Sequence, residues 1–138
     1  MSNSLEIPYV DEKSQIYKII RRPKLALSIY SKNLHCWIKV ENILADTGAD
    51  ISVLPKSLGV LILGNFKHGR RYQISGMSPN DINDMYIQKL TVRIGGKTFR
   101  TDFAISNSDS IPPTLGRVGA LDKFEVIYSK GKKLVLRW

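Results

Sequence analysis

Apolar and polar residues alternate along several segments of the chain, which is the pattern of strands that bury one face. Apolar residues occupy every second position from Leu25 to Ile29, and a second strand is predicted from Cys36 to Leu44. The turn-forming residues 31–33 separate the two segments. The pattern therefore predicts a hairpin whose second strand ends just before Asp46.

The rest of the chain also favours strands. Residues 71–74 lead into a loop rich in Gly and Pro, residues 85–94 and 99–105 form strands around Gly95-Gly96, and two more strands cover 124–128 and 134–138. Residues 52–63 are expected to form a turn and a short strand. The only predicted helix is short and runs from near Arg117 to about Phe124. Periodicity alone does not distinguish a barrel from a sandwich.

The composition excludes several classes of protein. A chain of 138 residues with 43% hydrophobic and 24% charged residues fits one globular domain rather than a disordered segment. No apolar run approaches the roughly 20 residues that span a bilayer, and the N-terminus lacks a signal-peptide pattern. The single Cys36 excludes an internal disulfide and a cysteine-based zinc site. We expect a cytoplasmic protein with no membrane segment, metal or organic cofactor.

The formal net charge of +9 is compatible with a nucleic-acid partner. However, the basic residues are dispersed along the chain, and no RNA-binding aromatic signature or helix-turn-helix pattern accompanies them. This favours a solvated basic surface, so no nucleic acid is expected as a partner. A basic β-barrel that binds nucleic acid remains an alternative.

Asp46-Thr47-Gly48 is the most informative motif, because it directly follows an apolar strand and precedes a second apolar run. Hydrolysis of a peptide by an activated water needs one carboxylate to accept a proton and one carboxylic acid to polarise the carbonyl. Glycine lets the backbone turn sharply, and threonine supplies a hydroxyl that can lock the loop. The alternative is that Asp46 is an ordinary turn aspartate.

A catalytic pair needs two such aspartates, and no other aspartate in the chain is followed by Thr-Gly or Ser-Gly. A second copy of the chain could supply the partner across a two-fold axis, where a residue meets its own copy. The sequence therefore predicts that the chain, if it is an enzyme, is an obligate homodimer.

With these motifs the sequence resembles the retropepsins, the single-domain aspartic proteases of retroviruses and their cellular relatives. The resemblance covers about residues 22–138. It rests on Arg22-Pro23 before a strand, Leu44-Ala45-Asp46-Thr47-Gly48-Ala49-Asp50, Ile74-Ser75-Gly76-Met77 at the place of the glycine-bearing flap, and Thr114-Leu115-Gly116-Arg117. It implies an all-β, closed barrel-like fold with one short C-terminal helix. It also implies a homodimer joined through terminal strands, Leu134 to Trp138 among them.

The resemblance also implies roles for individual residues. Asp46, Thr47 and Gly48 would be catalytic, with Thr47 bonding across the dimer axis, and Asp50 would pair with Arg117, joined by Arg22 of the other subunit. An extended peptide substrate would contact a second set: Ala49, Asp50, Ile74, Ser75, Gly76, Met77, Pro113 and Thr114. Residues 1–20 would be an N-terminal extension and residues 21–138 the protease domain. The main alternative is a catalytically idle module of this fold that binds peptide or only dimerises.

Overall fold

A computed structural model of the chain describes residues 3–75 and 82–138, and twelve strands and one α-helix lie in these two ranges. The first six strands are β1 (Ser4–Pro8), β2 (Val10–Ser14), β3 (Lys18–Arg22), β4 (Lys24–Ser31), β5 (Cys36–Ala45) and β6 (Ser52–Leu54). The helix, α1 (Lys56–Leu63), follows them. The remaining strands are β7 (Arg70–Ser75), β8 (Ile82–Ile94), β9 (Lys97–Ser106), β10 (Thr114–Leu115), β11 (Glu125–Ser129) and β12 (Lys133–Arg137).

Six strands close a mixed barrel, in the order β4, β5, β10, β6, β9 and β8, with β8 returning to pair with β4. Strand β7 continues the sheet outward from β8. Alternate residues of β4 are buried, namely Leu25, Leu27, Ile29 and Ser31, as its period-two pattern predicts. The all-β, barrel-like prediction is confirmed.

The core lies inside the barrel and is formed by branched aliphatic and aromatic side chains from most of its strands. Its fully buried members include Ile29, Ile43, Leu54, Val92, Phe103, Ile105 and Leu115. Ile62 carries the helix onto this core, and the buried Ser31 hydroxyl donates a hydrogen bond to the Ile62 carbonyl at 2.6 Å. Removal of this apolar surface from water is the main stabilisation that holds the barrel closed.

The prediction of a C-terminal helix is wrong in position. Residues 117–124 contain turns and a single 3-10 turn at Leu121–Lys123, because Gly119 adopts a left-handed backbone conformation (φ +73°) that interrupts a helix. The α-helix lies at 56–63, where a turn and a short strand were expected. Pro55 before its first turn and Gly64 (φ +68°) after its last are typical helix boundaries.

The N-terminal residues form two separate pairings. Strand β1 pairs with β12, and β12 also pairs with β11, which gives a three-stranded sheet in the order β1, β12, β11. Strands β2 and β3 form a hairpin that ends next to β4. The predicted boundary between residues 20 and 21 falls inside β3 and remains a prediction. Within the two described ranges, no helix is both long and apolar enough to cross a membrane.

Candidate functional site

Asp46 lies immediately after β5, at the start of a connection to β6 that we call the Asp46 loop (residues 46–51). The preceding Ala45 and Ile43 are buried, whereas Asp46 is half-buried and Thr47 and Gly48 are exposed. The apolar end of β5 therefore anchors a short polar loop and leaves its first carboxylate accessible. The Asp46 side chain does not enter the core, since it remains half-buried and the next two residues are exposed.

The Asp46 carboxylate is oriented by the loop that follows it. The Gly48 backbone N–H donates a hydrogen bond to Asp46 Oδ1 at 2.9 Å, and a Cβ added at Gly48 would stand only 3.1 Å from the same oxygen. The Ala49 N–H donates to the Asp46 carbonyl at 3.2 Å. Glycine at position 48 thus keeps the carboxylate close to a backbone donor, which orients one of its two oxygens.

The segment from residue 113 to residue 118 runs beside the Asp46 loop and is joined to it by backbone hydrogen bonds. The Asp46 N–H donates to the Leu115 carbonyl at 3.0 Å, and the Leu44 N–H donates to the Pro113 carbonyl at 3.1 Å. In return, the Arg117 N–H donates to the Ala49 carbonyl at 2.8 Å. Two predicted motifs that are distant in sequence therefore form one backbone unit around Asp46.

Gly116 permits this close approach. A Cβ at position 116 would lie 2.5 Å from the carbonyl carbon of Ile51 and 2.9 Å from the Ala49 oxygen. The Gly116 N–H donates to the buried Ser52 hydroxyl at 2.9 Å. No residue larger than glycine fits between these backbone atoms without displacing the Asp46 loop.

Asp50 and Arg117, the predicted ion pair, lie in two segments joined by backbone hydrogen bonds, in which Arg117 bonds to Ala49 and Val118 to Asp50. The Val118 N–H donates to the Asp50 carbonyl at 2.9 Å, but the Arg117 guanidinium lies 3.8 Å from Asp122. Arg22 contacts Glu12 at 3.6 Å instead of Asp50. Side-chain pairing of Asp50 with Arg117 or with a partner's Arg22 stays a prediction.

The predicted substrate-binding residues are distributed over two regions. Pro113 and Thr114 are half-buried beside the end of β5, and Thr114 pairs with Leu44. Ile74 and Ser75 are the last two residues of β7, which pairs with the start of β8. Gly76 and Met77 lie outside the described residues, so the flap remains a prediction.

Tyr128 lies next to the candidate site and was not predicted from the sequence. Its hydroxyl donates a hydrogen bond to the Ala45 carbonyl at 3.1 Å, and it extends from β11 of the three-stranded sheet. Burial raises the pKa of Tyr128, and the nearby Tyr9 and the Asp46 carboxylate raise it further, while a hydrogen bond with Thr47 lowers it in part. No local sequence signal could reveal a contact between residues 83 positions apart.

Two pockets differ in whether predicted site residues line them. One of about 280 Å³ lies beside Tyr30, Leu63, Leu90 and Arg100 and contains none of the predicted site residues. Another, of about 240 Å³, is lined by Pro113 and by Leu44, which is two residues before Asp46 in the chain. In the described part of the chain, no group of three or more His, Cys, Asp or Glu residues could hold a metal ion.

Comparison with solved structures identifies the fold. The chain is similar to the crystal structure of a retropepsin-like aspartic protease from Rickettsia conorii, with a TM-score of 0.65, 17% identity, and coverage of 100% of this chain and 93% of that one. It is also similar to EIAV protease complexed with the inhibitor HBY-793, with a TM-score of 0.46, 23% identity, and coverage of 77% and 88%. No family model and no curated protein matched the chain. The chain has a retropepsin-like fold, as its motifs predict.

Proposed function

We propose that the chain is an aspartic endopeptidase that works as a homodimer, with one Asp46 contributed by each copy. The observation that carries the proposal is the local structure of Asp46. Its carboxylate is half-exposed, is oriented by the Gly48 N–H, and stands on a loop tied by backbone hydrogen bonds to Leu115 and Arg117. An ordinary turn aspartate needs no such support from a distant segment. The retropepsin-like fold makes peptide hydrolysis the matching activity.

The proposed chemistry uses water as the nucleophile. Two Asp46 carboxyl groups on a two-fold axis share one proton, because two carboxylates at contact distance cannot both be ionised. The ionised group accepts a proton from water, and the protonated group donates a hydrogen bond to the carbonyl of the scissile peptide. Thr47 would bond across the axis beneath the pair, and Gly48 would bring the backbone close to the substrate.

The substrate would be a peptide in extended conformation. It would contact the backbone of the Asp46 loop at Ala49 and Asp50. It would also contact residues 74–77, Pro113 and Thr114. Extended peptides bind through main-chain hydrogen bonds and place alternate side chains in pockets. The pocket of about 240 Å³ beside Leu44 and Pro113 is suited to hold one such side chain.

Digestion of a peptide library by purified protein tests the proposal. Wild type should cleave a defined subset of peptides, and Asp46→Asn should abolish cleavage while retaining the fold and the oligomeric state, as measured by circular dichroism and analytical ultracentrifugation. Asp102→Asn is a matched control, because Asp102 is a half-exposed aspartate on β9 that contacts Lys89 at 3.6 Å. A peptide carrying a statine-type hydroxyl should inhibit wild type, since it occupies the position of the attacking water.

Three results separate the alternatives. Cleavage retained by purified Asp46→Asn, or a wild type that stays monomeric with bound substrate, would refute the proposal. Peptide binding without cleavage by wild type would identify a catalytically idle module. Salt-dependent binding of nucleic acid without proteolysis would identify a basic β-barrel of another kind.

A further inference from the structure

The hairpin of β2 and β3 places a carboxylate at a pocket beside the end of β5, the strand that leads into the Asp46 loop. The pocket of about 240 Å³ is lined by Glu12 of β2, by Arg22 and Lys24, and by the apolar Leu44, Pro112 and Pro113. Leu44 is two residues before Asp46. The N-terminal hairpin therefore contributes a charged wall to a pocket whose other wall belongs to the candidate active site.

Glu12 is held by two cations at once. Its Oε2 lies 3.0 Å from Lys24 Nζ and 3.6 Å from Arg22 Nε. The same oxygen is enclosed and accepts no hydrogen bond of good geometry in the described structure, so its charge is compensated by these ionic contacts. The side chains of Glu12 and Lys24 are 42% and 24% exposed, so their attraction is less screened than that of a free surface pair.

The position of this cluster is fixed relative to Asp46. Arg22 and Lys24 flank Pro23, and the Pro23 carbonyl accepts a hydrogen bond from the Ala45 N–H at 2.9 Å. On the other side of the pocket, the Pro113 carbonyl accepts the Leu44 N–H at 3.1 Å. Both walls are thus attached to the last residues of β5.

We propose that Glu12 is a specificity-determining residue for the proposed proteolysis, one that makes the pocket at the end of β5 select uncharged side chains and discriminate against acidic ones. The inference rests on the proposed function. Without Glu12, the pocket would present two cations and no anion, and it would attract a substrate carboxylate. With Glu12 in place, an incoming carboxylate meets a like charge already paired with both cations, while Leu44, Pro112 and Pro113 favour an apolar side chain.

Cleavage profiling of Glu12→Gln over a peptide library tests this inference. The variant should raise the relative kcat/KM for peptides with Glu or Asp at the position held by the pocket by about fivefold, the upper range for a partly exposed charge pair. A homodimer has two such pockets related by symmetry, so the change should occur at two positions, one on each side of the cleaved bond. Other positions should keep the wild-type preference.

Asp11→Asn is the matched control. Asp11 precedes Glu12 on β2, contacts Arg21 at 3.7 Å, and is absent from the lining of the pocket. It removes the same charge from the same strand, so its cleavage profile should equal that of wild type. Lys24→Gln should act in the opposite direction to Glu12→Gln and lower the cleavage of acidic peptides further, which keeps the test available if one variant folds poorly.

The outcomes distinguish the two proposals. If wild type cleaves peptides and the profiles of Glu12→Gln and Lys24→Gln match it at every position, Glu12 does not determine specificity. An equal change in Asp11→Asn would show a general effect of protein charge and would also overturn the inference. If wild type cleaves nothing, the proposed function itself fails.

Discussion

Gly116→Ala should destabilise the protein and displace the candidate active site. The added Cβ would stand 2.5 Å from the Ile51 carbonyl carbon and 2.6 Å from its oxygen, whereas ordinary contact begins near 3.4 Å. Both atoms belong to backbone, so no flexible side chain can move aside, and the two segments must separate by roughly 1 Å. Overpacking of this kind typically costs about 1–3 kcal/mol. Because the close contacts here are with backbone atoms, we expect a cost at the upper end of this range.

Urea unfolding followed by circular dichroism measures the effect, with Gly96→Ala as the control. A Cβ at Gly96 would meet only Trp138 at 3.7 Å, and its backbone conformation is not left-handed. We expect Gly116→Ala to lose about 3 kcal/mol, or roughly 10 °C in Tm, and Gly96→Ala to change little. Proteolytic activity should fall with Gly116→Ala, since the Asp46 loop must move. Equal urea midpoints of unfolding for the two variants would refute the packing argument.

Two further variants test contacts around the site and the helix. Tyr128→Phe removes the hydrogen bond to the Ala45 carbonyl and should lower the unfolding free energy by about 1 kcal/mol in urea titration, whereas the exposed Tyr17→Phe should change nothing measurable. Asp109 accepts the Ser57 N–H at 2.8 Å in the first turn of the helix, and this bond lowers the pKa of Asp109. Its stabilisation is therefore present at neutral pH and lost as pH falls through that lowered pKa. The stability gap between wild type and Asp109→Ala should narrow below about pH 4, and a gap that widens there would contradict this.

Strand periodicity predicted most of the barrel because its strands bury one face. The alternation in β4 and the Gly95-Gly96 turn between β8 and β9 are local signals, and the structure follows both. The helix was missed because it is only eight residues long and contains Gly59, which suggests an interruption. Gly59 is there for packing: a Cβ at this position would overlap the Ile105 side chain. Pro55 and Gly64 were the signals that could have identified it.

The candidate site likewise contains residues that local sequence patterns predict and residues that they do not. Asp46 could be identified from its own neighbours in sequence, because a polar triplet after a buried strand is a local pattern. Tyr128 and Glu12 could not, since each reaches the site through an ordinary strand position and through tertiary contacts. Asp50 and Arg117 illustrate the limit of motif reasoning. Backbone hydrogen bonds join their segments, from Arg117 to Ala49 and from Val118 to Asp50, yet the Arg117 side chain contacts Asp122 within the chain.

The pairing of the terminal strands constrains how a homodimer could form. Strand β12 is flanked by β1 and β11, so both of its edges are occupied within one chain. Among the described strands of this sheet, a second copy can add only at β1 or β11, unless β1 is displaced. Tyr128 lies on β11, and its hydroxyl is bonded to the residue before Asp46. A copy that pairs with β11 would therefore act one hydrogen bond away from the residue that precedes the Asp46 loop, whereas a copy that pairs with β1 would be separated from it by β12 and β11.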